Sequence, residues 1–384
     1  MGITHRERVR MALNHEETDR VPLDFGGSHE TGIQADVYDG LLELLGFEPE
    51  TPEGRDGGTE ATIIPSEKVL RHFDIDVRGV EAKLGTADAR RMVDEHTATD
   101  GWGVTWRRAD AASPYINIKG PLQELDDPTA TDVESLPWPV ADDPQNIAGL
   151  REQLEKLRAE TDYALVIKLR NVGVLYLGQR LRGFAEFLTD LLSGTGFAEA
   201  LLERGTEMTC DFARTVLTEV GDLVDGVSWA DDLGIQTQPM MSPALYRSAL
   251  KPYHKRLGET IHQHTDAKVI LHSCGAIRPL LGDLVDCGVN VINPVQVNAA
   301  GMDPAELKRD FGNDLSFWGG IDTQRVMPNG TPAEVAEEVR RRIGDLGKGG
   351  GYTLAAVHNI RADVPPENVI AMYETAREVS TART

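Results

Sequence analysis

One short stretch of the chain combines residue types that bind metal ions. Residues 269–275 read Val-Ile-Leu-His-Ser-Cys-Gly, an apolar run followed by His272, Cys274 and Gly275. An imidazole and a thiol two residues apart can turn toward one point where the chain bends, and glycine permits such a bend because it tolerates positive φ angles. The stretch is therefore half of a possible zinc site. A core strand that ends in a buried cysteine and a hydrogen-bonded histidine is the alternative interpretation.

The elements around this stretch indicate how it is positioned. Helical patterns alternate with short apolar strands in the second part of the chain, and these strands are predicted at 164–169, 226–230, 268–271, 289–292, 315–318 and 352–357. Such alternation is typical of a parallel sheet covered by helices. Two earlier strands, at 21–25 and 76–80, bring the total to about eight, the number that closes a (β/α)8 barrel.

We therefore predict an α/β fold, a (β/α)8 TIM barrel with an N-terminal elaboration, as a single domain over residues 1–384. Residues 1–140 are the part with elaborations, including an N-terminal helix that Thr4 caps, and residues 141–384 are the regular β/α repeats. An open doubly wound sheet is the alternative, but no G-x-G-x-x-G motif opens a helix. The glycine-rich residues 347–351 precede a strand, which favours a helix-to-strand turn over a phosphate-binding loop.

Composition narrows the function classes. The chain has 39 Lys+Arg against 62 Asp+Glu, a formal net charge of −23, which disfavours binding to nucleic acid or to anionic membranes. Only three cysteines occur, so a disulfide framework is not expected. We see no signal peptide and no apolar run of the ~18 residues that span a membrane, and we expect a cytoplasmic protein.

Chemistry in such barrels collects at the carboxyl ends of the strands. Polar side chains follow nearly every predicted strand, namely Asp24, Arg170, Asn171, Asp231, Asp232, His272, Cys274, Asn293, Asp322, His358 and Asn359. The barrel brings His358 toward His272 and Cys274. These three supply three of the four ligands of a tetrahedral zinc ion and leave the last position for substrate.

The remaining strand-end residues receive predicted roles with open alternatives. Asp231 or Asp232 could handle a proton, orient His272 or supply a fourth ligand, or one of them could cap the following turn. Arg170 could receive a substrate carboxylate or phosphate, or form a structural ion pair. We predict that these three are catalytic. The predicted substrate-binding residues are Asp24, Asn171, Asn293, Asp322 and Asn359.

A series of motifs resembles the uroporphyrinogen decarboxylase superfamily along nearly the whole chain. The matching stretches are Arg6-Glu7-Arg8-Val9, Asp19-Arg20-Val21-Pro22, Ser242-Pro243 with Tyr246 and Pro252-Tyr253, His272-Ser273-Cys274-Gly275, Phe311-Gly312, Phe317-Trp318-Gly319-Gly320-Ile321-Asp322 and Pro365-Pro366-Glu367-Asn368. Within the superfamily the chain looks like the zinc- and cobalamin-dependent methyltransferases. That branch binds zinc through a His-x-Cys pair and a later cysteine, a position that His358 occupies here.

The resemblance implies a zinc-dependent methyltransferase that moves a methyl group between a small substrate, such as a methyl ether, and a corrinoid (cobalamin) carried by a partner protein. A decarboxylase of a small acid or porphyrinogen is the first alternative. The true decarboxylase carries an Arg-Gln-Ala-Gly-Arg motif after its first strand, whereas residues 24–29 here read Asp-Phe-Gly-Gly-Ser-His and lack both arginines. The second alternative is a non-catalytic protein that binds a corrinoid or tetrapyrrole.

Overall fold

The computed structural model describes residues 2–49, 62–85, 90–110, 113, 115–170 and 172–379. The elements before the regular repeats are α1 (His5–Leu13), β1 (Ile33–Gln34), α2 (Ala35–Leu44), β2 (Thr62–Ile63), α3 (Glu67–His72), β3 (Val77–Ala82), β4 (Arg91–Met92), β5 (Thr97–Thr99), β6 (Thr105–Arg107), β7 (Ile116–Lys119) and α4 (Ala130–Glu134). Among them β3 alone belongs to the large parallel sheet, and β4 to β7 form a separate antiparallel sheet.

The regular repeats supply the rest of the parallel sheet and its helical cover. Their elements are α5 (Leu150–Glu160), β8 (Ala164–Leu169), α6 (Val174–Arg182), α7 (Phe184–Ser193), α8 (Gly196–Val220), β9 (Gly226–Ala230), α9 (Pro243–Leu245), α10 (Lys251–His262), β10 (Lys268–His272), α11 (Leu281–Asp286), β11 (Val291–Asn293), α12 (Pro304–Phe311), β12 (Ser316–Ile321), α13 (Val326–Asn329), α14 (Pro332–Leu346), β13 (Tyr352–Ala356) and α15 (Pro366–Glu378).

The parallel sheet curls into a (β/α)8 TIM barrel, as predicted. Its order is β13-β12-β11-β10-β9-β8-β3, and each neighbouring pair is parallel. The eighth position is the stretch around Leu23, which forms a parallel bridge to Leu354 of β13. On its other side the Leu23 carbonyl accepts from the Asp76 amide at 3.0 Å, just before β3. This stretch therefore lies between the two edge strands and closes the barrel.

Helix α1 covers the amino-terminal end of the barrel. It begins after Thr4, whose side chain caps the helix together with Glu7, as the sequence predicts. Its apolar side chains join the cluster inside the barrel, which consists of Val9, Leu13, Val77, Ala164, Val166, Ile270, Val291, Trp318 and Ala355. Because this end is filled by apolar side chains, polar groups inside the barrel gather at the carboxyl end of the strands.

Several predicted boundaries differ from the structure. The helical pattern of residues 184–219 is divided into α7 and α8 at Gly194, whose φ angle of 63° suits glycine. The helical pattern of residues 243–264 contains a wider π turn at Tyr246–Leu250, next to Pro252, which has no N–H to continue the ladder. Among the described residues, no helix is both long and apolar enough to cross a bilayer.

Candidate metal centre at the barrel mouth

The side chains of His272 and Cys274 converge where β10 ends. His272 is the last residue of the strand, and Cys274 Sγ lies 3.5 Å from His272 Nε2. The chain then turns at Gly275, whose φ is 91° and where an added Cβ would lie 2.4 Å from the Gly234 carbonyl carbon. A zinc ion with bonds of about 2.3 Å to sulfur and 2.0–2.1 Å to nitrogen separates two such atoms by about 3.5 Å across a tetrahedral angle. The observed separation fits that geometry.

His358 brings a third donor to the same point. It follows β13, and one ligand atom each of His272, Cys274 and His358 lies within 4.8 Å of the others. The two imidazole rings are 5.9 Å apart between centroids and inclined at 70°. Two nitrogens and one sulfur are a donor set that zinc accepts, and small side-chain rotations would bring all three to bonding distance. The residues therefore fit a metal ion with one position left open.

Asn293 fixes the orientation of the His272 ring. Its Oδ1 lies 2.6 Å from His272 Nδ1, and Asn293 itself is 1% exposed. An amide oxygen only accepts hydrogen bonds, so Nδ1 carries the proton and Nε2 keeps the lone pair that a metal needs. Because the side chain is buried against the histidine, the geometry favours this orienting role over the predicted contact with substrate.

Residues 231–233 hold the loop that carries Cys274. The Asp231 amide donates to the His272 carbonyl at 2.9 Å, and the Leu233 amide donates to Ser273 Oγ at 3.0 Å. The exposed Asp232 accepts from the Cys274 amide through Oδ1 at 2.7 Å. This contact was not among the alternatives left open for Asp232: its carboxylate binds the backbone that presents the thiol.

Asp231 stabilises the beginning of a helix instead. Its two carboxylate oxygens accept from the amides of Leu175 and Tyr176, both at 2.7 Å, in the first turn of α6. His254 Nε2 lies 2.9 Å from Asp231 Oδ2, and both side chains are fully buried. With three protein partners and no exposure, the geometry favours a structural role for Asp231 over the predicted catalytic one.

Asp24 is likewise occupied by the protein. Its carboxylate accepts from the amides of Gly27 and Ser28, from the hydroxyls of Ser28 and Thr31, and from Trp318 Nε1 at 2.8 Å. The residue has no exposed surface. The geometry therefore favours a role in shaping the loop after the first strand over the predicted contact with substrate.

Asp322 and Asn359, which were also predicted to bind substrate, are held by protein groups as well. Asp322 is 4% exposed, and its Oδ1 accepts from Asn298 Nδ2 at 2.6 Å and from the amides of Gln324 and Arg325. Asn359, also 4% exposed, accepts from the Gly32 amide at 2.8 Å and donates to Glu30. Both side chains hold loops at the barrel mouth and face protein groups.

Arg170 remains at the mouth with part of its surface open. Its side chain is 31% exposed, with Nη1 3.4 Å from Glu30 Oε1 and Nε 3.9 Å from Glu81 Oε1. The position is compatible both with the predicted substrate contact and with an ion pair. Asn171, the next residue, lies outside the described residues.

The sequence interpretation missed a group of charged and polar residues beside Arg170. Lys168 is 3% exposed, and its Nζ lies 3.3 Å from the Gly26 carbonyl and 3.4 Å from Glu81 Oε1. His29 is 3% exposed and bonds Ser228 Oγ at 2.6 Å; burial above all, and then Arg170 and His272, hold its pKa well below the usual range. A lysine inside an otherwise apolar strand was the one sequence signal that could have located this group.

Comparison with known proteins gives a consistent picture. The sequence profile of the uroporphyrinogen decarboxylase (URO-D) family matches residues 128–379. The uroporphyrinogen decarboxylase of Gloeobacter violaceus is 25% identical over 299 residues, which is 74% of this chain and 77% of that protein. The methylcobamide:CoM methyltransferase MtaA of Methanosarcina barkeri is 24% identical over 206 residues, 54% of this chain and 56% of that one.

Two further similarities come from Methanosarcina mazei. Its methylated-thiol–coenzyme M methyltransferase is 28% identical over 145 residues, or 38% of this chain and 36% of that protein. The alignments thus span little more than half of one methyltransferase and about a third of the other. A solved structure of a methyltransferase from the same organism superposes with a TM-score of 0.67 at 18% identity, covering 98% of this chain and 99% of that one. This last similarity establishes the shared fold.

Proposed function

The chain belongs to the uroporphyrinogen decarboxylase family, and we propose that within it the protein is a zinc- and corrinoid-dependent methyltransferase. The reaction would move a methyl group between a small substrate, such as a methyl ether, and a corrinoid on a partner protein. The observation that carries this proposal is the convergence of His272, Cys274 and His358 within 4.8 Å at the open end of the barrel. The methyltransferases among its relatives support the same class.

The three donors suit a catalytic ion better than a structural one. Structural zinc sites use four protein ligands, whereas catalytic sites use three and leave a position open. Zinc bound here would act as a Lewis acid on the oxygen or sulfur from which the methyl group leaves or to which it is added. His272 would ligate through Nε2, because Asn293 holds the proton on Nδ1. Asp232 would keep Cys274 aimed at the same point through the backbone.

The surrounding charged groups would bind and orient the substrate. Arg170 is the predicted contact for an anionic group on the substrate, and Glu30 and Glu81 lie on its two sides. Lys168 is buried beneath Glu81, where burial lowers its pKa. Of the two aspartates predicted to handle a proton, Asp232 is the one with solvent exposure. These residues supply position and charge around the three donors.

Decarboxylation is the second candidate, favoured by the wide match to the Gloeobacter violaceus enzyme. Its porphyrinogen substrate is rich in carboxylates, and residues 24–29 of this chain place a buried aspartate and no arginine after the first strand. Without those arginines the chain lacks the cations that would pair with the carboxylates of that substrate. We therefore expect no turnover of uroporphyrinogen, and a measurable rate would favour the decarboxylase.

Metal analysis combined with methyl transfer tests the proposal. We expect the wild-type protein, purified without chelator, to hold one zinc ion per chain and to demethylate a methyl ether or methylate a thiol with a corrinoid as the second substrate. Cys274→Ala and His358→Ala should lose both zinc and transfer. Cys210→Ala is the matched control, because Cys210 is a buried thiol in α8 and should keep both. Wild-type protein without zinc, or full transfer by Cys274→Ala, would refute this mechanism.

A further inference from the structure

The proposed donor set leaves a divalent ion short of negative charge. Two neutral imidazoles and one thiolate reduce a charge of +2 to +1, whereas the His-x-Cys pair with a later cysteine, which the family resemblance implies, would reach neutrality. A net charge is costly in a partly buried site unless an opposite charge lies nearby. His272 is 3% exposed, so solvent would screen the remaining positive charge of the ion only weakly.

Glu30 lies in a loop that is joined to the strand end carrying His358. Gly32, two residues after Glu30, donates through its amide to Asn359 Oδ1 at 2.8 Å. Ile33 then forms a parallel bridge to Ile360. These contacts hold the loop after the first strand against the residues after β13, so the position of Glu30 depends on that of His358.

The backbone of Glu30 is itself unusual. Its φ is +52°, in the left-handed region that residues other than glycine rarely adopt. Such a conformation costs about 1 kcal/mol or more and persists where surrounding contacts enforce it, often at functional sites. Here the conformation turns the carboxylate toward Asn359 and Arg170.

The Glu30 carboxylate is held at both oxygens. Asn359 Nδ2 donates to Oε2, and Arg170 Nη1 lies 3.4 Å from Oε1. Burial alone would raise the pKa of this carboxyl, but Arg170 and then His272 and His358 outweigh burial, so the pKa lies below its usual range. The carboxylate is therefore ionised, and Asn359 ties it to the residue next to His358.

We propose that Glu30 is the second anionic group of the metal centre and supplies the negative charge that a second thiolate would otherwise provide. This inference rests on the proposed function, because it concerns the same three donors. In this arrangement Asn359 positions the carboxylate, which explains why the residue after His358 is a buried amide.

Glu81 offers a matched comparison. It is also a carboxylate beside Arg170, and its side chain is 30% exposed against 23% for Glu30. Burial would raise its pKa, but Lys168, Arg170 and Lys83 lower it below the usual range. If Glu30 acted only as a partner of Arg170, the two glutamates would be equivalent toward a metal ion.

The test is zinc affinity, measured by competition with a chromogenic chelator for wild-type protein, Glu30→Gln, Glu81→Gln and Cys274→Ala. Glutamine keeps the size of Glu30 and one accepting oxygen, and it removes the charge. We expect Glu30→Gln to weaken zinc binding by about tenfold or more, as loss of a supporting group around a metal typically does. Glu81→Gln should stay within about twofold of wild type. Urea unfolding of each metal-free variant would show that the fold is retained.

Three outcomes overturn the inference in distinguishable ways. Zinc affinity of Glu30→Gln equal to wild type, with Cys274→Ala impaired, would refute the role of Glu30 and leave the proposed centre standing. Equal losses in Glu30→Gln and Glu81→Gln would assign the effect to Arg170 and its general charge balance. Absence of zinc binding in the wild-type protein would refute both the inference and the proposed function.

Discussion

The bond between Asn293 and His272 gives the sharpest prediction about the centre. Asn293→Leu keeps a side chain of similar size and removes the oxygen that lies 2.6 Å from His272 Nδ1. Because Asn293 and His272 are 1% and 3% exposed, water cannot easily replace the lost acceptor. The ring would then choose between leaving Nδ1–H without a partner and moving the proton to Nε2, where it blocks a metal.

Two separate losses follow from this change. A buried donor without a partner costs about 1–3 kcal/mol, so metal-free protein should lose that much free energy of unfolding. Loss of the residue that orients a metal ligand typically weakens metal binding by about 10–100-fold. At saturating zinc, each tenfold loss of affinity removes a further ~1.4 kcal/mol of zinc-dependent stabilisation.

Urea unfolding with and without zinc separates the two losses. The control is Asn290→Leu, which removes the oxygen that accepts from the Val269 amide at 2.9 Å near the opposite end of β10. We expect both variants to be destabilised without metal, but only Asn293→Leu to lose part of the stabilisation that zinc adds. If zinc stabilised Asn293→Leu as much as wild type, the assignment of the His272 tautomer would be wrong.

Two predictions concern groups outside the three donors. His29 is held neutral in the folded protein, where its pKa lies well below the unfolded value of about 6.5. Its contribution to the free energy of unfolding is therefore present above pH 6.5 and is lost as the pH falls below that value, by about 1.4 kcal/mol per pH unit. Urea unfolding at pH 6.5 and 5.5 should show a smaller pH dependence for His29→Asn than for wild type, and equal slopes would contradict the assignment. Asp231→Ala should lower the free energy of unfolding by about 3 kcal/mol, because it leaves two amides of α6 and the His254 ring without an acceptor. A loss below about 1 kcal/mol in urea unfolding would contradict the role of Asp231 in holding α6.

The regular part of the fold could be predicted because its signals are local. Strands β8 and β9 have the predicted bounds, since each is a short apolar run between helical patterns. The strand at 21–25 has only a single bridge at Leu23, because Pro22 has no amide to donate and Asp24 turns into the loop. The sequence does not reveal the small sheet of β4 to β7: residues 102–106 alternate like one exposed strand or hairpin, and strands of two to four residues carry too little pattern.

The convergence of His272, Cys274 and His358 could be predicted from the sequence, whereas the contacts of the neighbouring carboxylates could not. His272, Cys274 and His358 follow strands, and parallel strands bring their ends together, so position along the chain was sufficient. The same reasoning gave Asp24 a substrate-binding role and Asp231 a catalytic one, whereas both carboxylates accept hydrogen bonds from backbone amides of the protein. Position at a strand end does not say whether a carboxylate faces the cavity or the amides of the next loop, and that depends on loop geometry.

This division of the carboxylates at the barrel mouth argues for two classes of variant. Asp24, Asp231 and Asp322 are at most 4% exposed and accept from backbone amides, so neutralising them removes bonds that shape the loops and helix ends. Glu30 is partly exposed and is bound by side chains beside the centre, so neutralising it leaves the backbone paired and changes mainly the charge around the metal. Variants of the first class should therefore lower the free energy of unfolding, and variants of the second class should lower the affinity for zinc. A variant of Glu30 that lost stability without losing metal affinity would move it into the first class and return the centre to a single anionic ligand.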